Sequence, residues 1–300
     1  MTTITPTKPW KKELTDYIPR NRKSAKDLIA ALIILAGFLL ALAPLISILS
    51  TTVIKGAAGL KPQIFTHTMA AASYSDPLSK GGLLHAIIGT LYLILIATII
   101  SLPLSILTAL YLTEIKGRAA TLIQFLIQAM SGVPSVVAGV FIYAAILLTT
   151  HLRGSTFIGA LPLAILMIPT VTRTAQEVLN LVPNELREAG LALGATQWRT
   201  VMTIVVPAAR SGLITATILG IARIAGETAP LLLTVGGADA VNLNPFSGNS
   251  SALPYYIWKA FSLGTDQSIA RAWAGIFVLM ALVMAFFTLA RVLGNRRRRA

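Results

Sequence analysis

Arg223 and Glu227 stand four residues apart in a stretch that carries no other charge between Arg210 and Asp239. On a helix that spacing puts both side chains on one face. A charge among lipid tails costs about 2.5 kcal/mol or more unless it is paired or faces water, so such residues are first read as part of a substrate pathway. The competing reading is an ion pair that fixes helix packing, a weak stabiliser once desolvation is counted. Thr170, Arg173, Glu177 and Asn180 follow one another at +3, +4 and +3 and form a second polar stripe. It either lines a pathway or anchors a helix end at the interface, with Arg173 snorkelling outward. Gln124, Gln128, Ser131 and Ser135 form a third stripe, which hydrogen-bonds between helices or lines the same cavity. No catalytic group and no metal site is expected. His67, His85 and His151 lie far apart, cysteine is absent, and Asp239 and Asp266 have no ligand cluster around them.

The elements that must position these residues are membrane spans. The chain is 55% hydrophobic and only 12% charged, with a mean hydropathy of +0.75; soluble domains carry about twice that share of charge. A spanning helix needs about 20 mostly apolar residues, which predicts an all-helical polytopic membrane protein with six transmembrane helices at roughly 28–50, 84–112, 130–150, 157–179, 209–234 and 271–293. The amphipathic run Ala119–Met130 is expected at the membrane interface, turning inward at Pro134. Ala41-Leu-Ala43 in the first span raises the thought of a cleaved signal peptide, but the apolar stretch exceeds the roughly 7–15 residues of a signal core, so it is read as an anchor. Gly212, Ala216 and Gly220 are small residues that let helices approach closely. Pro230 removes a backbone donor and should kink or end the fifth span, which makes it a candidate hinge or outer gate.

Lysine and arginine set the orientation. Of the 25 basic residues, the tail 1–27, Lys116 and Arg118, the loop carrying Arg187, Arg199 and Arg210, and the C-terminal end with Arg291 and the basic tail 295–300 all fall on one side, which is therefore expected to be cytoplasmic. With six spans both termini share that side. The net charge of +14 is thus read as a topology signal and an anchor to anionic membrane lipid, not as a nucleic-acid patch. Two outward loops, 51–83 and 235–270, remain. The second contains Pro254-Tyr-Tyr-Ile-Trp258, whose aromatic residues suit a protein contact or an interfacial belt.

The cytoplasmic loop 181–208 is too apolar for solvated coil. Pro183 suits a first helical turn and Glu185 and Glu188 its positive end. Leu186, Ala189, Gly190 and Leu193 then form one small apolar face, and Gly194 stands where a left-handed residue is cheap. The result is a short helix lying across the membrane, either a plain surface helix or a docking element that another protein approaches closely.

Glu188-Ala189-Gly190, Gly194, Ile204 and Pro207 resemble the "EAA" loop of ABC importer permeases. Gly190 replaces the usual third alanine and Val206 the common leucine before the proline, both with character preserved. The segment Arg223-x2-Gly226-Glu227-Thr228-Ala229-Pro230 narrows the resemblance to the PstA-type permease subunits of phosphate importers, over about residues 80–295. The resemblance implies an ABC importer type I (MetI-like) permease fold: an N-terminal anchor followed by a five-helix core, 84–294. It implies a heterodimer with a second homologous permease subunit, two ATP-binding subunits docked on the loop, and an extracytoplasmic phosphate-binding protein, all in a bacterial inner membrane. The chain has no Gly-x4-Gly-Lys-Ser/Thr nucleotide loop. It is expected to bind no cofactor itself, with ATP-Mg on the partner ATPase, and not to be an enzyme. Arg223, Glu227, Thr228, Arg173 and Glu177 become the expected substrate pathway, since a guanidinium fork matches tetrahedral oxyanions. Glu227 would either pair with an arginine or accept a hydrogen bond from a protonated phosphate oxygen. A permease for sulfate, molybdate or phosphonate is the nearest alternative. An anion channel would need no docking helix, and a membrane enzyme would need ligand or His/Asp clusters.

Overall fold

Proline and glycine decide where the helices of this chain stop. In the computed structural model, which describes residues 25–295, they run Ala25–Ala58 (α1), Gln63–Thr66 (α2), Leu84–Glu114 (α3), Arg118–Ser131 (α4), Ser135–Ile142 (α5), Thr156–Asn180 (α6), Asn184–Ala192 (α7), Gln197–Thr200 (α8), Val206–Ala225 (α9), Ala229–Thr234 (α10), Leu253–Leu263 (α11) and Asp266–Asn295 (α12). Wider π-helical turns, Tyr143–Leu148 and Val201–Val205, continue α5 and join α8 to α9. Among the described residues the extended pairing is one isolated bridge, Gly236 with Ser250. Most of the basic tail 1–27, and the arginines 296–299, lie outside the described residues.

Five helices are long and apolar enough to cross a membrane: Leu28–Ala58, Leu84–Glu114, Thr156–Asn180, Gln197–Ala225 and Asp266–Thr288. A sixth crossing exists only if α4 and the α5 segment, bent by 100° to one another, count as one. The bend falls where the chain is expected to turn inward, at Pro134, and it moves the start of the predicted third span from 130 to Ser135. Gly132 ends α4, and Pro134, extended at φ −60° and ψ 140°, excludes the helical region for Val133 before it. The predicted fifth span is corrected at both ends. It starts at Gln197, because a π turn absorbs the missing donor of Pro207, and it stops at Ala225. Ile204 and Pro207 thus belong to the long helix and not to the loop.

The chain divides between Thr51 and Thr52 into two units. The first contributes the helical residues 25–51, of which 28–50 are exposed apart from Leu42. In the second, α6 is the central helix. Leu93 and Ala97 of α3, Leu163, Met167 and Val171 of α6, and Ile224 and Leu231 pack as one cluster. Ala109, Ala175, Leu179, Val205 and Ala216 form another. A third lies toward the two long loops, where Tyr256 stacks near Tyr74 and edge-on to His85. The segment 235–270, expected as loop, holds α11, entered through Pro254 and closed by Gly264 at φ 68°. That folding buries Tyr256, one of the aromatics read as surface, while Trp258 stays exposed. Arg271 is 2% exposed and donates to the carbonyls of Tyr74, Asp76, Pro77 and Lys80, tying down the 67–83 loop.

Candidate functional site

The site is built where α6 and α9 meet. Gly212 faces Val178, and Gly220 faces Val171 and Met167, so closely that a Cβ at either glycine would overlap those side chains. Ala216 between them is fully buried. The small-residue stripe thus fixes α9 against α6, and this close approach carries Arg223 to the second stripe. Arg223 Nη1 donates to Thr170 Oγ1 at 3.0 Å, and that hydroxyl is within 3.4 Å of the Leu166 carbonyl as a donor. One turn further along α6, Arg173 Nε is buried without a hydrogen-bond partner.

Glu227 does not share a helical face with Arg223. Pro230 lacks the donor that would serve the carbonyl of Gly226, four residues earlier, and its ring crowds that carbonyl. The helix therefore ends at Ala225, Gly226 turns at φ −96° and ψ 0°, and α10 restarts at Ala229 with Thr228 at its cap position. Glu227 sits in the break, half-buried, its backbone N donating to the Ile224 carbonyl. The sequence reading of an Arg223–Glu227 pair is corrected accordingly. Among the described residues the ion pairs are Arg187 with Glu114, and Lys259 with Asp239 at 2.9 Å. Arg173, Glu177, Arg223 and Glu227 take part in neither, and Glu177 points to the exposed side of α6. Beyond the break, Pro230 is buried against Gly139 of α5, where a Cβ would overlap the proline ring. The break thus separates two packed pairs: α6 with α9, which carries the arginines, and α5 with α10. The third stripe is not continuous, because the bend at Gly132–Pro134 falls between Ser131 and Ser135.

The loop element α7 is preceded by Pro183 at its N-cap, with φ −56° and ψ 141°, and ends in a Schellman arrangement. Gly194 is at φ 79°, its N–H reaches the Leu191 carbonyl at 2.9 Å, and the N–H of Ala195 reaches that of Gly190 at 3.2 Å. Leu186, Glu188, Ala189 and Leu193 are exposed, Leu193 by 88%. Gly190 is not part of that open face. It is buried on Thr200 and Ile204, leaving no room for a side chain. The predicted apolar face therefore divides: glycine holds α7 to its own following helix, and the leucines face outward with Leu191 and Trp198. Arg187, not singled out by sequence reading, anchors α7 by pairing with Glu114 at the end of α3 and donating to the Leu179 carbonyl at 2.9 Å. Burial lowers the pKa of its guanidinium. No spacing rule links residues 73 apart in sequence.

The family described as binding-protein-dependent transport system inner membrane component matches residues 101–299. The phosphate transport system permease protein PstA 1 of Mycobacterium tuberculosis is 36% identical over 284 residues, covering 93% of this chain and 91% of that one. The PstA permease proteins of Pasteurella multocida and Yersinia pestis are 38% and 36% identical, over 82% and 93% of this chain. Among solved structures, the inward-facing MetNI methionine ABC transporter matches 72% of this chain and 94% of its own at 15% identity, with a TM-score of 0.57. A bacterial alginate ABC transporter, solved with an alginate pentasaccharide-bound periplasmic protein, matches 91% and 99% at 15% identity with a TM-score of 0.61. At that identity the likeness concerns the fold: that of type I ABC importer permeases.

Proposed function

The chain belongs to the inner membrane components of binding-protein-dependent transport systems, and on that premise we propose that it is a permease subunit of an ATP-driven importer of inorganic phosphate. The names of its relatives support the substrate. What carries the assignment to residues is the presence of two guanidinium groups on the packed helices α6 and α9. Arg223 and Arg173 lie inside or at the end of spans, neither bonded to a carboxylate, one leaning on a hydroxyl and one with a free buried donor. An uncompensated cation in a membrane is costly and is retained where an anion passes. Arginine offers several donors in a plane to the oxygens of phosphate.

The rest of the mechanism follows from which element each group rides on. Two ATP-binding subunits, carrying ATP-Mg, dock on Leu186, Glu188, Ala189, Leu193 and Gly194, while Gly190, seated on Thr200 and Ile204, fastens that surface to the long helix that continues through Pro207. A push on α7 is then transmitted along α9, which moves with α6 because their contact leaves no slack. The break at Gly226–Thr228 lets α10 keep its place on α5, so Pro230 serves as the hinge. Glu227, in the break, changes its distance from the arginines, deepening or relieving the well that holds the anion. A second, homologous permease completes the pathway, and a soluble phosphate-binding protein delivers the ligand from outside. The excess of basic residues places both termini on the cytoplasmic side of the bacterial inner membrane. The test is ATP-driven phosphate uptake in vesicles carrying the complete transporter. The parent should accumulate phosphate and Arg223→Gln should not; uptake by Arg223→Gln at the parent's rate overturns the assignment.

A further inference from the structure

We propose that Thr170 is a positioning residue for the anion contact: its hydroxyl orients the Arg223 guanidinium toward Arg173, so that the two arginines act as one site. This rests on the phosphate-permease reading above. Sequence spacing offers Glu227 as the partner of Arg223, but the helix break takes it off the shared face, and Thr170 on the neighbouring helix takes the contact instead, at 3.0 Å. The chemistry suits a pathway better than a carboxylate would. A hydroxyl accepts one N–H of the guanidinium and brings no charge, so the full positive charge of Arg223 stays available to a passing anion. Thr170 spends its own hydrogen on the Leu166 carbonyl, 3.4 Å away, which leaves its lone pairs facing the arginine. Thr170 and Arg173 are three residues apart on α6 and so share a face. The guanidinium held by Thr170 therefore lies on the same side of α6 as Arg173, whose buried Nε has no partner. The close glycine contacts of α9 with α6 fix this register.

The experiment uses the complete transporter in vesicles with saturating binding protein, and reads phosphate transported per ATP hydrolysed. Thr170→Val keeps the shape and removes the hydroxyl; Thr170→Ser keeps the hydroxyl. Loss of one hydrogen bond to a charged group should lower phosphate per ATP roughly tenfold in Thr170→Val. Basal ATP hydrolysis and the amount of assembled protein should stay unchanged, and Thr170→Ser should restore transport. Parent-like coupling in Thr170→Val overturns the inference. So does equal loss in the serine and valine variants. If Arg223→Gln itself transports normally, the phosphate-permease site falls and not merely its positioning.

Discussion

At the scale of single residues, cations in this chain do two different jobs, told apart by their partners. Arg271 is 2% exposed and its donors are spent on backbone carbonyls of the 67–83 loop. It is a fastening. Arg271→Gln would strip several of these carbonyls of their donors, and we expect about 2–4 kcal/mol of destabilisation, read as a lower unfolding temperature in detergent with early proteolysis of that loop. An unchanged unfolding temperature would contradict this. Arg223 and Arg173 keep donors in reserve, which is what a binding role requires. Their types and positions are legible in the sequence because a charge in an apolar run is conspicuous. Their partner is not. Thr170 is 53 residues from Arg223, and only the approach of α9 to α6 reveals that it displaces Glu227.

At the scale of elements, the spans with continuous hydropathy read directly from the sequence: α3, α6 and α12 fall close to their predicted ranges. The two whose ends moved are those in which a proline follows a glycine that ends the helix, Gly132 before Pro134 and Gly226 before Pro230, whereas Pro103, Pro162 and Pro169 stay inside continuous helices. Hydropathy runs through Pro134 and Pro230, but the backbone does not, because each proline denies a donor and restricts its predecessor. Conversely Pro207, which reads as the end of a loop, is carried inside a helix by a π turn. The same physics gives a test of the break. Pro230→Ala restores the donor to Gly226 and removes the ring clash, so α9 and α10 are free to join. We expect assembled protein at the parent's level with strongly reduced phosphate uptake. Normal uptake would remove the hinge from the mechanism.

At the scale of the whole molecule, the exposed leucines of α7 lie at one end of the bundle and the arginines part-way along it, connected by one long helix from Gln197 to Ala225. Half of the apolar face of α7 is legible in the sequence. Leu186, Ala189 and Leu193 are exposed as their spacing predicts, whereas Gly190 turns inward because Thr200 and Ile204, from the next helix, occupy its side. This division predicts different failures. Leu193→Asp places a charge on the exposed face and should abolish coupling, with uptake and stimulated ATP hydrolysis both lost while the folded chain remains in the membrane. Gly190→Leu should instead unseat α7, by overpacking of about 1–3 kcal/mol, and lower the yield of folded protein. If the two variants behave alike, the inner and outer faces of α7 have been misassigned.

Everything rests on Arg223 facing an aqueous conduit. The chain contains no cysteine, so Arg223→Cys gives this subunit a single thiol, whose labelling is read on this subunit after separation from the assembled transporter. A water-soluble, membrane-impermeant thiol reagent should modify that cysteine. Modification only by a lipid-soluble reagent, or by none, would place residue 223 against acyl chains or in a dry contact and contradict the account.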